Sequence, residues 1–417
     1  MQWPADLCTA WALEMESLIL GWYVLVETGS VVLLTVYGSL LLVGTLVSPL
    51  LGMLGDRWGL RNVLAAMRAS YTVFAATILV LALSGMLNPM VVLAVAALSG
   101  LIRPTDIGMR SALVGATVPP EHLVAAMGIS RTTQDTARIG GALLGTGFMA
   151  VFGMAPAYAV ICVIHLAGVL LTLQVAERSR GSASVQPATS SATFPADPPG
   201  VRSAAPPGPS PWRELKDGLV YVWRTPRLRA AMGMAALVNL TAFPLTGGLM
   251  PYIARDVFGL DQQGLGWLVA SFGTGALIGS VGLSAFGERV RPAHAMLAAG
   301  AAWHLCMIGF VLTGSLPLAM LLLMAAGICQ SISMITLSII LLRTSEPRFR
   351  GRIMGVRMLA IYTLPLGLLA AGAMIPTVGF VATAMAMLLL GLVLVSCIAT
   401  IWRDDLLRSH APSNARK

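Results

Sequence analysis

Charged side chains stand inside long apolar stretches in the first half of the sequence. They are Glu14 and Glu16 in the first stretch, Arg103 and Asp106 in the fourth, and Arg131, Asp135 and Arg138 in the fifth. Because an unpaired charge in an apolar interior costs several kcal/mol, each group is expected to face a partner or a water-filled cavity. In the second half, only His304 is ionisable at a similar depth. The charge chemistry is therefore predicted to lie in the first half.

The spacing of these residues indicates which of them share a helix face. Arg103 and Asp106 are three apart, and residues 131, 135 and 138 follow at i, i+4 and i+7, so each set lies on one face and its members can neutralise each other. Glu14 and Glu16 are two apart and point about 200° apart around a helix, so at most one can look straight into a central cavity. Glu14 lies about 15 Å from its helix start, near the midplane of a bilayer.

Carboxylates at such a depth could carry protons. A carboxylate in a low-dielectric site can exchange a proton near neutral pH, whereas an arginine keeps its charge. We therefore take Glu14, Glu16 and Asp135 as candidate proton-coupling residues, with the arginines and Asp106 shaping a substrate cavity. The alternative is that the glutamates pair with Arg131 or Arg138 only to hold the helices together.

Other polar residues in the apolar stretches carry a weaker signal. Tyr23, Asn239 and Gln330 could line the cavity, although aromatic and amide side chains in membrane helices mostly serve packing and interhelical hydrogen bonds. His165 and His304 are interpreted as buried core histidines more readily than as proton relays.

The composition predicts an all-α membrane protein. Of 417 residues, 57% are hydrophobic and 11% charged, and the mean hydropathy is +0.81, which excludes a soluble two-domain enzyme. The unbroken apolar stretches also exclude an outer-membrane barrel. Twelve such stretches are predicted to span the membrane, at 5–27, 30–52, 63–84, 89–112, 124–152, 156–176, 230–253, 264–286, 293–313, 317–342, 353–375 and 380–402.

The basic residues fix the predicted topology. With both termini cytoplasmic, twenty Arg and Lys residues fall in inside loops and tails and Arg255 alone falls outside, as the positive-inside rule requires. This accounts for the net charge of +9 without a nucleic-acid partner. We expect a plasma (bacterial inner) membrane location, and no cleaved signal peptide. The five cysteines are odd in number and lack CxxC spacing, so they are interpreted as core residues.

The chain divides into two predicted halves. Residues 1–176 form a six-helix half, and 177–210 form a flexible Pro, Ser, Ala and Gly-rich cytoplasmic linker. An amphipathic helix at 211–229 should lie along the inner membrane surface, unless it simply extends the seventh span. Residues 230–402 form the second six-helix half, and 403–417 a cytoplasmic tail. Two such pseudo-symmetric halves suggest a central cavity.

The loop after the second stretch carries a family signature. It reads GMLGDRWGLR over 52–61, with glycines for a tight turn and charges that can bridge helix ends. This string resembles the loop motif of the major facilitator superfamily, whose matching positions are Gly52, Leu54, Asp56, Arg57, Gly59 and Arg61. The resemblance implies that Asp56 and Arg57 form a gate at the cytoplasmic face. Leu60 departs from it, standing where the family usually has a basic residue.

Further strings resemble one exporter branch of that family. TGS at 28–30, VPPEHLVAAMGISRTTQDTARIGGALLG at 118–145 and RFRGRIMG at 348–355 are similar to enterobactin and macrolide efflux proteins. Relatives in this branch often carry an acidic or polar residue at the position of Glu14, so we favour Glu14 as the one that faces the cavity. The antiporter signature of the fifth span places Pro after Gly140, and here Gly141 follows instead, which weakens the antiport assignment.

These features predict a proton-coupled exporter of an amphiphilic small molecule such as a drug, a macrolide or a siderophore. A phosphate-cradling GxxxxGK[ST] loop, a metal-spaced His/Cys set and a nucleophile elbow are absent from the sequence, so we expect no cofactor and no enzyme activity. The expected partners are substrate, protons and the lipid bilayer, and the chain is expected to be a monomer. Uptake by symport, or a non-transporting membrane sensor, are the alternatives.

Overall fold

Long apolar helices make up the regular structure of the chain. The computed structural model describes residues 2–46, 59–117, 133–175, 211–286, 290–346 and 349–403, and every regular element in these ranges is a helix. Eight of these helices are long and apolar enough to cross a membrane, and Val31–Leu40 and Pro89–Arg103 are shorter apolar helices.

The first half contains six helical segments in the described ranges. They are α1 (Gln2–Thr28), α2 (Val31–Leu40, followed by a 3-10 turn at Val43–Leu46), α3 (Leu60–Leu83), α4 (Pro89–Thr117), α5 (133–152, with a π turn at Gly141–Gly145) and α6 (Met154–Leu173). The turn between α1 and α2 uses Gly29, whose φ of 62° suits a residue without a Cβ, and Ser30, whose side chain accepts a hydrogen bond from the Leu33 N–H.

The remaining helices follow residue 210. They are α7 (Pro211–Arg224), α8 (Pro226–Thr241), α9 (Gln262–Phe286), α10 (Pro292–Leu312), α11 (Leu316–Thr344), α12 (Arg350–Ile361), α13 (Thr363–Val378) and α14 (Phe380–Ile401). Between α8 and α9 the chain forms two short helical pieces, Phe243–Thr246 and Met250–Tyr252, and a π turn, Ile253–Val257.

The amphipathic helix α7 is shorter than the predicted 211–229. It ends at Arg224, Thr225 is extended with φ −108° and ψ 104°, and Pro226 opens α8. A proline disfavours the helical conformation of the residue before it, so Thr225 separates the two helices. The predicted linker at 177–210 and all but the first residue of the tail at 403–417 lie outside the described residues.

Each half has an apolar core, and the second-half core continues onto the first half at Leu18, Trp22, Val31 and Ala142. The halves meet mainly along two pairs of helices. In the first half, α1 and α3 both pack on α6; in the second, α9 and α10 both pack on α11. Between the halves, α2 packs on α13 and α5 packs on α9. These two seams leave a space between the halves beside α1.

Candidate functional site

A cavity of about 330 Å³ lies between the two halves. Helices α1, α2, α4 and α5 form one wall, and the segment after α8 together with α9 and α13 forms the other. This volume is at the lower end of the range of small-molecule pockets. The polar side chains that line the cavity are Glu14, Ser17, Tyr37, Arg103, Arg138 and Thr246.

Glu14 and Arg103 form an open ion pair at this cavity. Arg103 Nη2 lies 3.9 Å from Glu14 Oε1, and the two side chains are 21% and 28% exposed. The separation exceeds a hydrogen bond, so the carboxylate is held near a positive charge without being locked to it. Arg138 lines the same cavity from α5. The structure thus brings together one carboxylate and two guanidinium groups that a ligand can reach.

Glycines in α5 allow this helix to approach α1 at the level of Glu14. A Cβ at Gly141 would lie 2.8 Å from Glu14 Cβ, and one at Gly140 would lie 3.1 Å from the Trp11 ring. Gly141 is also the first residue of the π turn, a distortion that is frequent at functional sites. The residue that replaces the proline of the antiporter signature therefore sets the position of the cavity carboxylate.

Glu16 points away from the cavity into the first half. It is 6% exposed, and its Oε2 lies 3.8 Å from His165 Nε2 on α6. Glu16 Oε1 and both ring nitrogens of His165 lack a hydrogen-bond partner among the described residues. The Tyr71 ring lies 5.8 Å from the His165 ring. His165 is therefore buried, as expected, and stands beside a buried carboxylate.

A small space connects Glu16 with the ion pair at the cavity. It has a volume of about 10 Å³ and is lined by Glu16, Ser17, Tyr37, Ser99 and Arg103, among others. This is room for about one water molecule, and the lining groups supply the polar partners that such a water needs. Ser17, Tyr37 and Arg103 line this space and the main cavity alike.

Asp106 belongs to a different site from Arg103. Its carboxylate is fully buried and lies 3.7 Å from Arg68 Nε on α3. Arg68 also bonds to Asp6 on α1 and donates to Thr172 Oγ1 at 2.5 Å on α6. The expected neutralisation of Arg103 by Asp106 is thus replaced by pairing across helices, because α4 packs on both α1 and α3.

Sequence reasoning missed Arg68, although its signal was available. It is the only charged residue between 63 and 84, the third apolar stretch, and a lone charge there requires a partner on another helix. The buried group of Asp6, Arg68 and Asp106 ties α1, α3 and α4 together away from the cavity.

Several other residues predicted to take part in the site do not line the cavity. The Tyr23 hydroxyl donates to the Leu87 carbonyl at 2.9 Å, and the Asn239 amide donates to the Ala235 carbonyl at 2.8 Å. Asp135 and Gln330 are buried at 1% and 3% exposure. These four residues and Asp106 are not among the residues that line the cavity.

Of the predicted gate at 52–61, the structure describes only residues 59–61. Gly59 precedes α3 with a φ of 83°, and Arg61 Nη1 donates to the Val175 carbonyl at 3.3 Å, which links the start of α3 to the end of α6. The other predicted gate and cavity residues, Gly52, Asp56, Arg57 and Arg131, lie outside the described residues.

The second-half wall of the cavity is mainly apolar. Phe243, Val269, Phe272, Leu364 and Leu368 line it. Gly247 and Gly248 also line this wall, and they lie between the two short helical pieces that follow α8. The cavity is therefore amphiphilic, with charges on one side and apolar groups on the other. Within the described ranges, no group of three or more His, Cys, Asp or Glu residues could hold a metal ion.

Comparison with known proteins connects this architecture to transporters. A family model described as Major Facilitator Superfamily matches residues 7–246 and 232–417. No curated protein matches the chain.

Solved transporter structures share the fold at low sequence identity. The nucleoside transporter NupG has a TM-score of 0.68 at 14% identity, covering 97% of this chain and 100% of that chain. A D-xylose–proton symporter has a TM-score of 0.69 at 13% identity, covering 96% of each chain. The human organic anion transporter MFSD10 has a TM-score of 0.63 at 15% identity, covering 94% of this chain and 97% of that chain. Identities this low indicate a shared fold and leave the substrate open.

Proposed function

The chain belongs to the major facilitator superfamily, and on this premise we propose that it exports an amphiphilic small molecule from the cytoplasm in exchange for protons. The family match and the shared fold make it a multi-pass secondary transporter of small molecules. Coupling to protons, the outward direction and a plasma membrane location with both termini inside are the further parts of the proposal.

The observation that carries the proposal is the Glu14–Arg103 pair at the inter-half cavity. A carboxylate 3.9 Å from a guanidinium and open to the cavity can exist ionised, facing Arg103, or protonated. A cationic or neutral substrate that binds beside ionised Glu14 competes with the proton for the same group. Such competition makes transport an exchange, because the empty carrier returns only after Glu14 has taken up a proton.

Glu16 and His165 would extend the proton path from Glu14 away from the cavity. One water in the small space would lie between Glu16 and Arg103, which pairs with Glu14, and Glu16 faces His165 at 3.8 Å. We assign Glu16 and His165 as a second proton station behind Glu14. Asp135, fully buried on α5, is a weaker candidate because it does not line the cavity.

The amphiphilic cavity supports the proposed substrate class. Apolar groups such as Phe272 and Leu364 offer a surface to a hydrophobic body, and Glu14, Arg103 and Arg138 offer partners to its polar groups. The export direction is supported by the resemblance of 118–145 and 348–355 to drug, macrolide and siderophore exporters.

The cavity charge also favours a second candidate, uptake of an anionic metabolite by proton symport. Two arginines face one carboxylate there, and an anion bound to Arg103 and Arg138 would promote protonation of Glu14. Anion and proton would then move together. The absence of the proline after Gly140 supports the same alternative.

Proton movement in inside-out vesicles separates these candidates. Vesicles energised to be acidic inside would receive cationic drugs, macrolides or catecholate siderophores, and the internal pH would be followed with a dye. Antiport gives substrate-triggered proton release in wild type and none in Glu14→Gln. Glu27→Gln is the control, since Glu27 is an exposed carboxylate at the far end of the same helix.

The other outcomes of this assay contradict the export proposal. Release that persists in Glu14→Gln would remove Glu14 from the coupling path. No proton release with any compound, combined with substrate and proton uptake together in right-side-out vesicles, would establish symport. No substrate-dependent proton movement in either orientation would favour a sensor.

A further inference from the structure

We propose that the junction of α7, α8 and α14 binds the headgroup of an anionic phospholipid, with Arg229 as its central cation. This site is separate from the cavity between the halves. Its function is to fix the cytoplasmic surface helix α7 to the membrane.

Two tryptophan rings hold the Arg229 guanidinium. Its carbon lies 5.8 Å from the ring centroid of Trp223 on α7 and 5.8 Å from that of Trp402, which follows α14. Within the described ranges, Arg229 forms no salt bridge with a carboxylate, and its buried Nε has no hydrogen-bond partner. Cation–π contact with two aromatic rings holds the guanidinium in place but supplies no negative charge to it.

A second arginine in contact with α7, Arg352, lies beside both an aromatic ring and a carboxylate. The Arg352 guanidinium carbon lies 5.4 Å from the Phe349 ring centroid, and its Nη1 lies 3.4 Å from Asp217 Oδ2 on α7. Both arginines thus stack on aromatic rings, and only Arg352 has a carboxylate close by in the described structure. The guanidinium of Arg229 thus has no carboxylate beside it among the described residues, and we infer that it is open to an external anion.

The surroundings of Arg229 fit a phospholipid better than a free anion. Leu219, Val220 and Trp223 of α7 are 49%, 42% and 69% exposed. Exposed apolar groups on an amphipathic surface helix bury themselves at the boundary of headgroups and acyl chains. Tryptophan is likewise enriched at that level. A phospholipid supplies a phosphate for the guanidinium and acyl chains for the apolar face, whereas inorganic phosphate supplies only the charge.

More positive charge lies close to this junction in the sequence. Arg224 ends α7, Arg227 lies in the first turn of α8, and Arg403 follows α14, so that with Arg229 four arginines outnumber the adjoining Asp404 and Asp405 in the sequence. Basic clusters of this kind at the inner face of a membrane attract anionic lipids. A zwitterionic headgroup carries no net charge to complement them.

Native mass spectrometry of the purified full-length protein tests the proposal. The protein would be titrated with phosphatidylglycerol or phosphatidylcholine, and the lipid-bound fraction would be measured. Wild type should retain phosphatidylglycerol in preference to phosphatidylcholine, and Arg229→Gln should bind phosphatidylglycerol about fivefold more weakly. Arg352→Gln is the matched control and should bind as wild type does. Arg229→Lys, which keeps the charge, should lose less affinity than Arg229→Gln.

Three outcomes would overturn the proposal. One is equal binding of phosphatidylglycerol by wild type and Arg229→Gln. Another is equal retention of the two lipids by wild type. The third is displacement of bound phosphatidylglycerol by inorganic phosphate at equal concentration, which would identify a site for a free anion. If Arg229→Gln does not fold, Trp402→Leu is the second variant: it removes one of the two rings that hold the guanidinium, and it should weaken the binding of phosphatidylglycerol.

Discussion

The two six-helix halves contribute different chemistry to one cavity. The first half supplies Glu14, Arg103 and Arg138, while the second supplies apolar groups such as Phe272 and Leu364. A pseudo-symmetric fold provides two similar walls, and only one of them carries charge. Under the proposed function, we expect proton coupling to depend on the first half and substrate fit to depend largely on the second.

The buried histidines show the same contrast. His304 in the second half is held by neutral partners, with Nε2 2.9 Å from Thr241 Oγ1 and Nδ1 2.8 Å from the Gly300 carbonyl oxygen. His165 in the first half faces Glu16 at 3.8 Å. Both histidines are interpreted as core residues from the sequence, but the structure gives them different neighbours: neutral groups for His304 and a carboxylate for His165. Four predictions test how far this contrast between the halves extends.

The largest effect is expected from Arg68→Met in the first half. The substitution removes the cation that Asp6 and Asp106 share, and breaking a buried ion pair from one side costs about 3–5 kcal/mol. We expect a large fall in the thermal unfolding midpoint of the purified protein. Thr241→Val, which removes the neutral partner of His304 in the second half, should cost only about 1–3 kcal/mol. Equal losses in the two variants would contradict the contrast.

Gly141→Ala should give the next largest effect, on transport. The new Cβ would lie 2.8 Å from Glu14 Cβ and 3.3 Å from the Met15 backbone nitrogen, so α5 must move away from α1. Overpacking of this kind costs about 1–3 kcal/mol, and we expect substrate-dependent proton flux to fall roughly tenfold. Gly147→Ala is the control on the same helix, since no atom lies within 4 Å of its added Cβ. Unchanged flux in Gly141→Ala would show that the close approach does not position Glu14.

The sequence was sufficient to predict the fold because hydrophobicity is a local property. The predicted stretches at 293–313 and 380–402 correspond to Pro292–Leu312 and Phe380–Ile401. The family match confirms the twelve-helix major facilitator fold. The points at which a helix ends inside an apolar stretch could not be predicted from hydrophobicity. In the described part of the stretch at 30–52, α2 ends at Leu40 and a 3-10 turn follows, where a Cβ at Gly100 would lie 1.9 Å from the Leu40 carbonyl oxygen.

The pairing of the candidate site residues could not be read from the sequence. Spacing shows that Arg103 and Asp106 lie about 60° apart on α4, but it does not show that they face different neighbouring helices, Arg103 towards α1 and Asp106 towards α3. That depends on how α4 is rotated against α1 and α3. The same limit applies to Tyr23 and Asn239, whose polar groups bond to backbone carbonyls and not to the cavity.

His165→Gln should change the pH dependence of transport. The substitution removes a titratable group 3.8 Å from Glu16 while keeping a polar side chain of similar size. If Glu16 and His165 form the second proton station, the pH profile of transport should differ from that of wild type. His304→Gln is the matched variant in the second half and should leave the profile unchanged. Transport across a pH series measures both, and an equal shift in the two variants would remove the distinction between the halves.

The smallest effect is expected from Leu364→Ala in the second-half wall. Leu364 lines the cavity from α13, and its truncation removes apolar contact worth about 1 kcal/mol or more, so the apparent substrate affinity should fall about fivefold. Leu366→Ala is the control, because Leu366 lies on the same helix and is 60% exposed. The number of protons moved per substrate should not change, since no first-half charge is altered. A change in that ratio would show that the second half takes part in coupling, and the division of roles between the halves would then have to be abandoned.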